Sequence, residues 1–114
     1  MGDVTPFRAI QPGQPQQVGF ERLELQRIMD LYGRMVAAGL WRDYAMQMDK
    51  ELAAFAAFRR TAERPEFRIE KRPALRQKQG MWALVNEAGL TVKRGHELGP
   101  VLAPLERRLM KVVE

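Results

Sequence analysis

Hydrophobic residues recur at helical spacing in the first half of the chain. Between residues 20 and 38 they fall every three or four positions, with charged residues between them. They are Leu25, Ile28, Met29, Leu31, Tyr32, Met35 and Val36. This period places them on one half of a helix and predicts an amphipathic helix of about 18 residues. Gly39 follows, where a left-handed residue commonly ends a helix.

Farther along the chain, the pattern changes to one typical of strands. Residues 67–70 alternate between apolar and charged side chains, and Pro73 stops the segment. Two apolar runs, 81–85 and 90–93, flank a short loop that closes with a glycine, which predicts a hairpin. After residue 98 leucines and valines return to helical spacing, so we expect a C-terminal helix.

Residues 45–62 carry two conflicting signals. Tyr44, Met46 and Met48 alternate with Ala45, Gln47 and Asp49, as in a half-buried strand. The alanine-rich run 52–58 favours a helix instead. Local propensity alone predicts a helix across 45–62.

Length and composition are those of one small domain. The chain has 114 residues, 46% of them hydrophobic, which suffices for a single core. Residues 1–19 are rich in proline, glycine and glutamine, so we expect a flexible tail followed by one domain over 20–114. We found neither a secretory signal nor an apolar run of the ~20 residues that span a bilayer. We therefore expect a cytoplasmic protein with no membrane partner.

The residue types present limit the chemistry that the chain can support. It contains no cysteine, no serine and one histidine, which excludes Ser–His and Cys–His nucleophilic sites. His96 precedes the C-terminal helix and is expected to be a polar helix-start residue rather than a general base. Asp43, Asp49 and Glu51 form the densest acidic set, but Lys50 lies among them, which favours surface ion pairs over a metal site. We therefore expect no catalytic residue, cofactor or metal.

Positive charge is concentrated in the second half of the chain. The formal net charge is +5, and residues 68–78 contain five cations and one anion. The candidate anion-binding residues are Arg59, Arg60, Arg68, Lys71, Arg72, Arg76, Lys78, Lys93 and Arg94. Clustered positive charge attracts nucleic acids and acidic proteins. The same charges would also protect an edge strand from aggregation, so the pattern leaves both interpretations open.

Several short motifs resemble those of a known family. In order, they are Leu31–Gly39, Trp41–Ala45 (WRDYA), Phe58–Arg60 (FRR), Arg68–Pro73 (RIEKRP) and Lys93–Leu98 (KRGHEL). Together they are similar to a domain-of-unknown-function family of small, uncharacterised proteins, mainly from alphaproteobacteria. The similarity covers roughly residues 20–112 and implies no activity. In that family the positions matching 53–58 are richer in β-branched residues, so the resemblance favours strands there.

These observations predict an α+β domain. It has an N-terminal helix, an antiparallel meander of about five strands and a C-terminal helix, with both helices on one sheet face. If the strands are neighbours, the basic residues converge on one sheet surface. We therefore expect a non-enzymatic module that binds nucleic acid or an acidic protein there, or has a regulatory role. The alternative is a protein–protein adaptor or homodimer that uses Met46 and Met48 or the C-terminal helix.

Overall fold

The computed structural model describes residues 17–60 and 64–113 of the chain. The prediction of a flexible tail falls largely on residues 1–16, which lie outside the described residues. The elements are α1 (Arg22–Ala37), β1 (Asp43–Met48), β2 (Ala53–Phe58), β3 (Phe67–Lys71), β4 (Trp82–Asn86), β5 (Thr91–Gly95) and α2 (Leu98–Val113), with a short 3₁₀ turn at Pro73–Leu75 between β3 and β4.

The five strands form one antiparallel sheet in the order β1-β2-β3-β4-β5. Each strand therefore pairs with its neighbour in sequence, as in a meander. The two helices come before and after the sheet along the chain and contact each other. The predicted α+β architecture is confirmed.

One face of the sheet carries the hydrophobic core. The strand register places Phe55, Ile69 and Leu84 side by side on β2, β3 and β4, and each is at most 2% exposed. Ile28 of α1 and Leu102 of α2 belong to the same buried cluster. Both helices therefore pack on this face, which we call the helix face.

The first helix is confirmed, with 16 residues where the pattern predicts about 18. Glu24 accepts a hydrogen bond from the backbone N–H of Glu21 at 2.7 Å, which completes a capping box. At the other end Ala38 caps the helix, and Gly39 has a φ of 79°, the left-handed conformation that glycine adopts without a steric penalty.

Residues 43–58 form a hairpin of two strands, so the helix predicted from local propensity was wrong and the strands favoured by the resemblance are confirmed. The Asp49 carboxylate accepts the backbone N–H groups of Glu51 at 2.8 Å and Leu52 at 2.9 Å, which fixes the turn. Phe55 is fully buried against the helices. Tertiary burial of this strand outweighs the helix propensity of its alanines.

The last residues of the predicted tail are attached to the domain. Val18 donates its N–H to the carbonyl oxygen of Asp49 at 2.7 Å, and the Gly19 carbonyl accepts a hydrogen bond from Lys71 Nζ at 2.9 Å. Phe20 then stacks on Trp82, with ring centroids 6.1 Å apart. Residues 18–20 are therefore part of the packed domain.

Candidate functional site

The sheet face opposite the helices gathers three of the predicted basic residues. Arg68 and Glu70 lie on this face of β3, and Arg94 lies on it across β4, because the register aligns Glu70 with Ala83 and Ala83 with Arg94. Arg72 has extended backbone angles that continue the alternation of β3. We call this surface, defined by Arg68, Glu70, Arg72 and Arg94, the arginine face.

Glu70 holds two of the guanidinium groups. Its Oε2 lies 3.1 Å from Arg68 Nη2, and its Oε1 lies 3.6 Å from Arg72 Nε. The Glu70 side chain is 11% exposed, whereas the two arginine side chains are 34% and 35% exposed. The carboxylate is therefore sheltered beneath cations that remain open to solvent.

Arg94 completes the surface from the outer strand β5. Its Nη1 donates to the carbonyl oxygen of Gly80 at 3.3 Å, in the segment that leads into β4. The arginine face thus carries three guanidinium groups, two of which contact the Glu70 carboxylate. Small side chains lie between them, since Ala54 and Ala83 are the direct cross-strand neighbours of Glu70.

Lys71 lies apart from the arginine face, on the helix face. Its Nζ is 2.7 Å from Glu24 Oε1 and 5.7 Å from the centre of the Trp82 ring, and its side chain is only 6% exposed. The ammonium group therefore joins α1 to the sheet. Strand alternation separates it from Arg68 and Arg72, although the three are close in sequence.

Arg59 and Arg60 lie beyond the end of β2, next to the loop between β4 and β5. Arg59 Nη2 contacts Glu87 Oε1 at 2.9 Å, and Arg59 Nε lies 3.9 Å from Glu66 Oε2. Arg60 is exposed. This pair occupies a different part of the sheet from the arginine face.

The remaining basic candidates surround the turn between β3 and β4 or lie on β5. Arg76 and Lys78 are exposed in that turn, and Arg76 Nη2 donates to Met81 Sδ at 3.7 Å. Lys93 is aligned with Leu84, which places it on the helix-face side of the exposed strand β5. The backbone carbonyl oxygen of Arg76 lies 3.2 Å from His96 Nδ1.

An open pocket of about 440 Å³ lies beside the arginine face. Arg72 lines both, and the pocket adds Lys50 and Glu51 from the β1–β2 turn. Val18 and the 3₁₀ turn complete its lining. The pocket thus adds one cation and one anion and leaves the net charge around Arg72 unchanged.

The acidic residues considered for a metal site belong to the β1–β2 hairpin. Hydrogen bonds from the backbone N–H groups of Glu51 and Leu52 lower the pKa of Asp49, so its carboxylate is occupied as a turn acceptor. Within residues 17–60 and 64–113, no three histidine, aspartate or glutamate side chains lie close enough together to hold a metal ion.

Aromatic residues pack at the junction of α1 with β1. Tyr32 meets Tyr44 edge to face at 5.1 Å, and Tyr44 stacks on Phe55 at 5.1 Å. Burial raises the pKa of Tyr32, helped by the nearby charge of Asp43, so its phenol stays protonated at neutral pH. These rings belong to the packing of the domain.

The role of Glu70 was not foreseen from the sequence. In the linear chain Glu70 merely dilutes the positive charge of its neighbours. The two-residue period of β3 is the signal that would have placed it between Arg68 and Arg72 on one face.

None of the helices in the described part of the chain is long and apolar enough to cross a bilayer. No curated protein and no solved structure matches the chain. Residues 18–102 match the family described as "Protein of unknown function (DUF2794)". This match spans more than half of the sequence, so the chain belongs to that family of proteins of unknown function, as its motifs had indicated.

Proposed function

We propose that this domain binds polyanions, and nucleic acid in particular, through the arginine face. The observation that carries the proposal is the presence of three guanidinium groups, from Arg68, Arg72 and Arg94, on the one sheet face that the helices leave open. On this proposal, the protein is a non-enzymatic module that associates with nucleic acid.

The ion pairs with Glu70 are compatible with phosphate binding. A guanidinium group has five N–H donors, and each contact with Glu70 joins one nitrogen of Arg68 or Arg72 to the carboxylate. Donors therefore remain on the open side for phosphate oxygens, which arginine binds in bidentate fashion. Glu70 would act as a positioning residue that limits the freedom of the two side chains.

The other residues of this face favour contacts with the phosphate backbone over base recognition. Ala54 and Ala83, the cross-strand neighbours of Glu70, are 3% and 1% exposed, whereas the Arg68 and Arg72 side chains are about one third exposed, so an extended chain would meet the guanidinium groups first. Among the described side chains of this face only Phe58, at its border, is aromatic. Stacking on aromatic platforms is the usual route to single-stranded bases. We therefore expect binding that depends weakly on sequence.

The exposed side chains of β1 favour a second candidate function, that of a protein-interaction domain. Met46 and Met48 are 41% and 44% exposed at the edge of the sheet. Methionine adapts its shape to different apolar partners. This function would use the opposite border from the one that carries Arg94, so the two candidates involve separate surfaces.

Fluorescence anisotropy with labelled, mixed-sequence duplex DNA and single-stranded RNA tests the proposal. Three arginine–phosphate contacts predict that log Kobs falls with log salt at a slope of about −3 for duplex DNA. Polyglutamate of similar length serves as the comparison. Equal affinity for polyglutamate would indicate an acidic protein partner, and no binding of DNA or RNA at low salt would overturn the nucleic-acid proposal.

A further inference from the structure

The outer edge of β1 lacks a strand partner within the described part of the chain. β1 is the first strand in the sheet order and pairs only with β2. On its helix-face side Tyr44, Met46 and Met48 are 40%, 41% and 44% exposed. A row of half-exposed apolar side chains therefore runs along a free sheet edge.

The main-chain groups of the same three residues point outward. Asp49 donates its N–H to the carbonyl oxygen of Leu52 at 3.0 Å, so the main-chain N–H of Asp49 points toward the strand that follows the turn, β2. Successive residues of a strand direct their backbone N–H and C=O groups to alternate sides. Tyr44, Met46 and Met48 therefore direct these groups away from β2. The Tyr44 N–H is taken by the Asp43 carboxylate at 2.8 Å.

The two edges of the sheet differ in their protection. β5 carries Lys93 and Arg94, and an irregularity interrupts its pairing with β4, both common defences against association of edge strands. Residues 44–48 of β1 contain no charge and no proline. The border at β1 is thus the less guarded one, with a single charged side chain, Asp43, bonded to the Tyr44 N–H at its start.

We propose that two copies of this chain pair antiparallel along β1 and form one ten-stranded sheet. The strand is self-complementary about Met46. A two-fold axis there sets Met46 against its copy, Tyr44 against the second Met48, and Ala45 against the second Gln47. Directly opposed residues of an antiparallel pair share a face, so apolar side chains meet on one face and small or amide side chains on the other.

Charges at the two ends of the strand limit how far this pairing can extend. Arg42 and Asp43 precede the apolar row, and Asp49 and Lys50 follow it. In the antiparallel arrangement each end of the interface brings together one such pair from each copy. Each end carries no net charge, but the register sets Arg42 against the second Lys50 and Asp43 against the second Asp49, so we expect the ladder to be confined to residues 44–48.

The axis of such a dimer is perpendicular to the sheet, so both arginine faces lie on the same side. Five strand spacings separate β3 from its copy, which gives about 24 Å at the usual 4.8 Å spacing. The dimer rests on the second candidate function and forms whether or not the arginine face binds polyanion. If both hold, one continuous surface presents two clusters of guanidinium groups.

Sedimentation velocity of the full chain without nucleic acid tests the pairing. We expect a dimer for the wild type, a monomer for Met46→Lys, and a dimer for Val92→Lys. The last variant adds the same charge at a residue 47% exposed on the opposite edge, and circular dichroism checks that both variants fold. A monomeric wild type at about 100 µM, far above the Kd of a specific dimer, would overturn the proposal, as would a dimeric Met46→Lys.

A distance measurement keeps the test decisive if Met46→Lys fails to fold. The chain has no cysteine, so Val92→Cys accepts a single nitroxide label. Nine strand spacings lie between the outer strands of the proposed sheet, so we expect one label-to-label distance of roughly 40 Å. A dimer with a much shorter distance would use another interface and would exclude pairing through β1.

Discussion

The indole Nε1 of Trp41 donates a hydrogen bond to Glu66 Oε1 at 2.7 Å, and the same oxygen accepts a bond from Arg108 Nη1 at 2.9 Å. Trp41 is 1% exposed and lies between α1 and β1, while Arg108 belongs to α2. The Glu66 carboxylate, on the segment before β3, thus links the α1–β1 connection and α2 to the sheet.

Replacing this carboxylate should destabilise the domain by an amount that depends on the remaining acceptor. Glu66→Leu leaves the buried indole N–H without a partner, and we expect a loss of about 2–3 kcal/mol in unfolding free energy. Glu66→Gln keeps one acceptor oxygen and should lose about half as much. Urea unfolding measures both. Glu87→Gln breaks only the exposed pair with Arg59, and its effect should stay within about 0.5 kcal/mol.

The buried ion pair of Lys71 with Glu24 gives a second prediction. Lys71→Met leaves the Glu24 carboxylate facing the core without its cation, and we expect a loss of about 3 kcal/mol, the lower end of the usual range because Glu24 is 17% exposed. Adding Glu24→Gln should recover part of that loss, since no charge is then stranded. A double variant less stable than Lys71→Met would contradict this account.

Gly80 should tolerate no side chain. Its φ is 100°, and a Cβ there would overlap the backbone carbonyl group of Gly95. We expect Gly80→Ala to lose about 3 kcal/mol or more through strain and overpacking combined. Gly89 is the matched control, with a φ of 87° and open space around it, so Gly89→Ala should lose only about 1 kcal/mol. Thermal denaturation of the two variants compares them directly.

Strand alternation accounts for what the sequence could and could not predict. β3 was recognised because one of its faces starts apolar and the other is charged, so the period of two is visible in residues 67–70. Local propensity did not predict β2, because its alanines favour a helix. The packing of Phe55 in the core makes this segment a strand. Lys71 was grouped with the other cations, although the same two-residue period places its side chain on the opposite face of the sheet from Arg68 and Arg72. Its partner Glu24 comes from α1, which no local pattern reveals.

The turn at Asp49 should make the stability of the hairpin depend on acid pH. Backbone hydrogen bonds hold the pKa of Asp49 below its ordinary value of 3.8 in the folded state. A lowered folded pKa contributes stability that is present above the ordinary value and is lost as the pH falls through the folded one.

Asp49→Asn keeps an acceptor oxygen but cannot be protonated in this range. Its unfolding free energy should therefore decline less than that of the wild type between about pH 5 and about pH 2. Asp49→Ala should already be less stable at neutral pH, because Glu51 and Leu52 then lose their acceptor. Parallel acid titrations of the wild type and Asp49→Asn would contradict the assignment.

The arginine face yields the last prediction, which separates local recognition from overall charge. Arg68→Gln with Arg94→Gln removes two guanidinium groups from this face and leaves the Glu70–Arg72 contact in place. We expect weaker binding to duplex DNA and a salt slope smaller by about 2, since each lost phosphate contact contributes about 0.9. Arg22→Gln with Arg107→Gln makes the same change in net charge at exposed helix residues. If both double variants bind equally weakly, net charge rather than the arginine face governs binding. A smaller slope in the first variant alone, with unchanged unfolding free energy, is the result that a localised phosphate-binding surface requires.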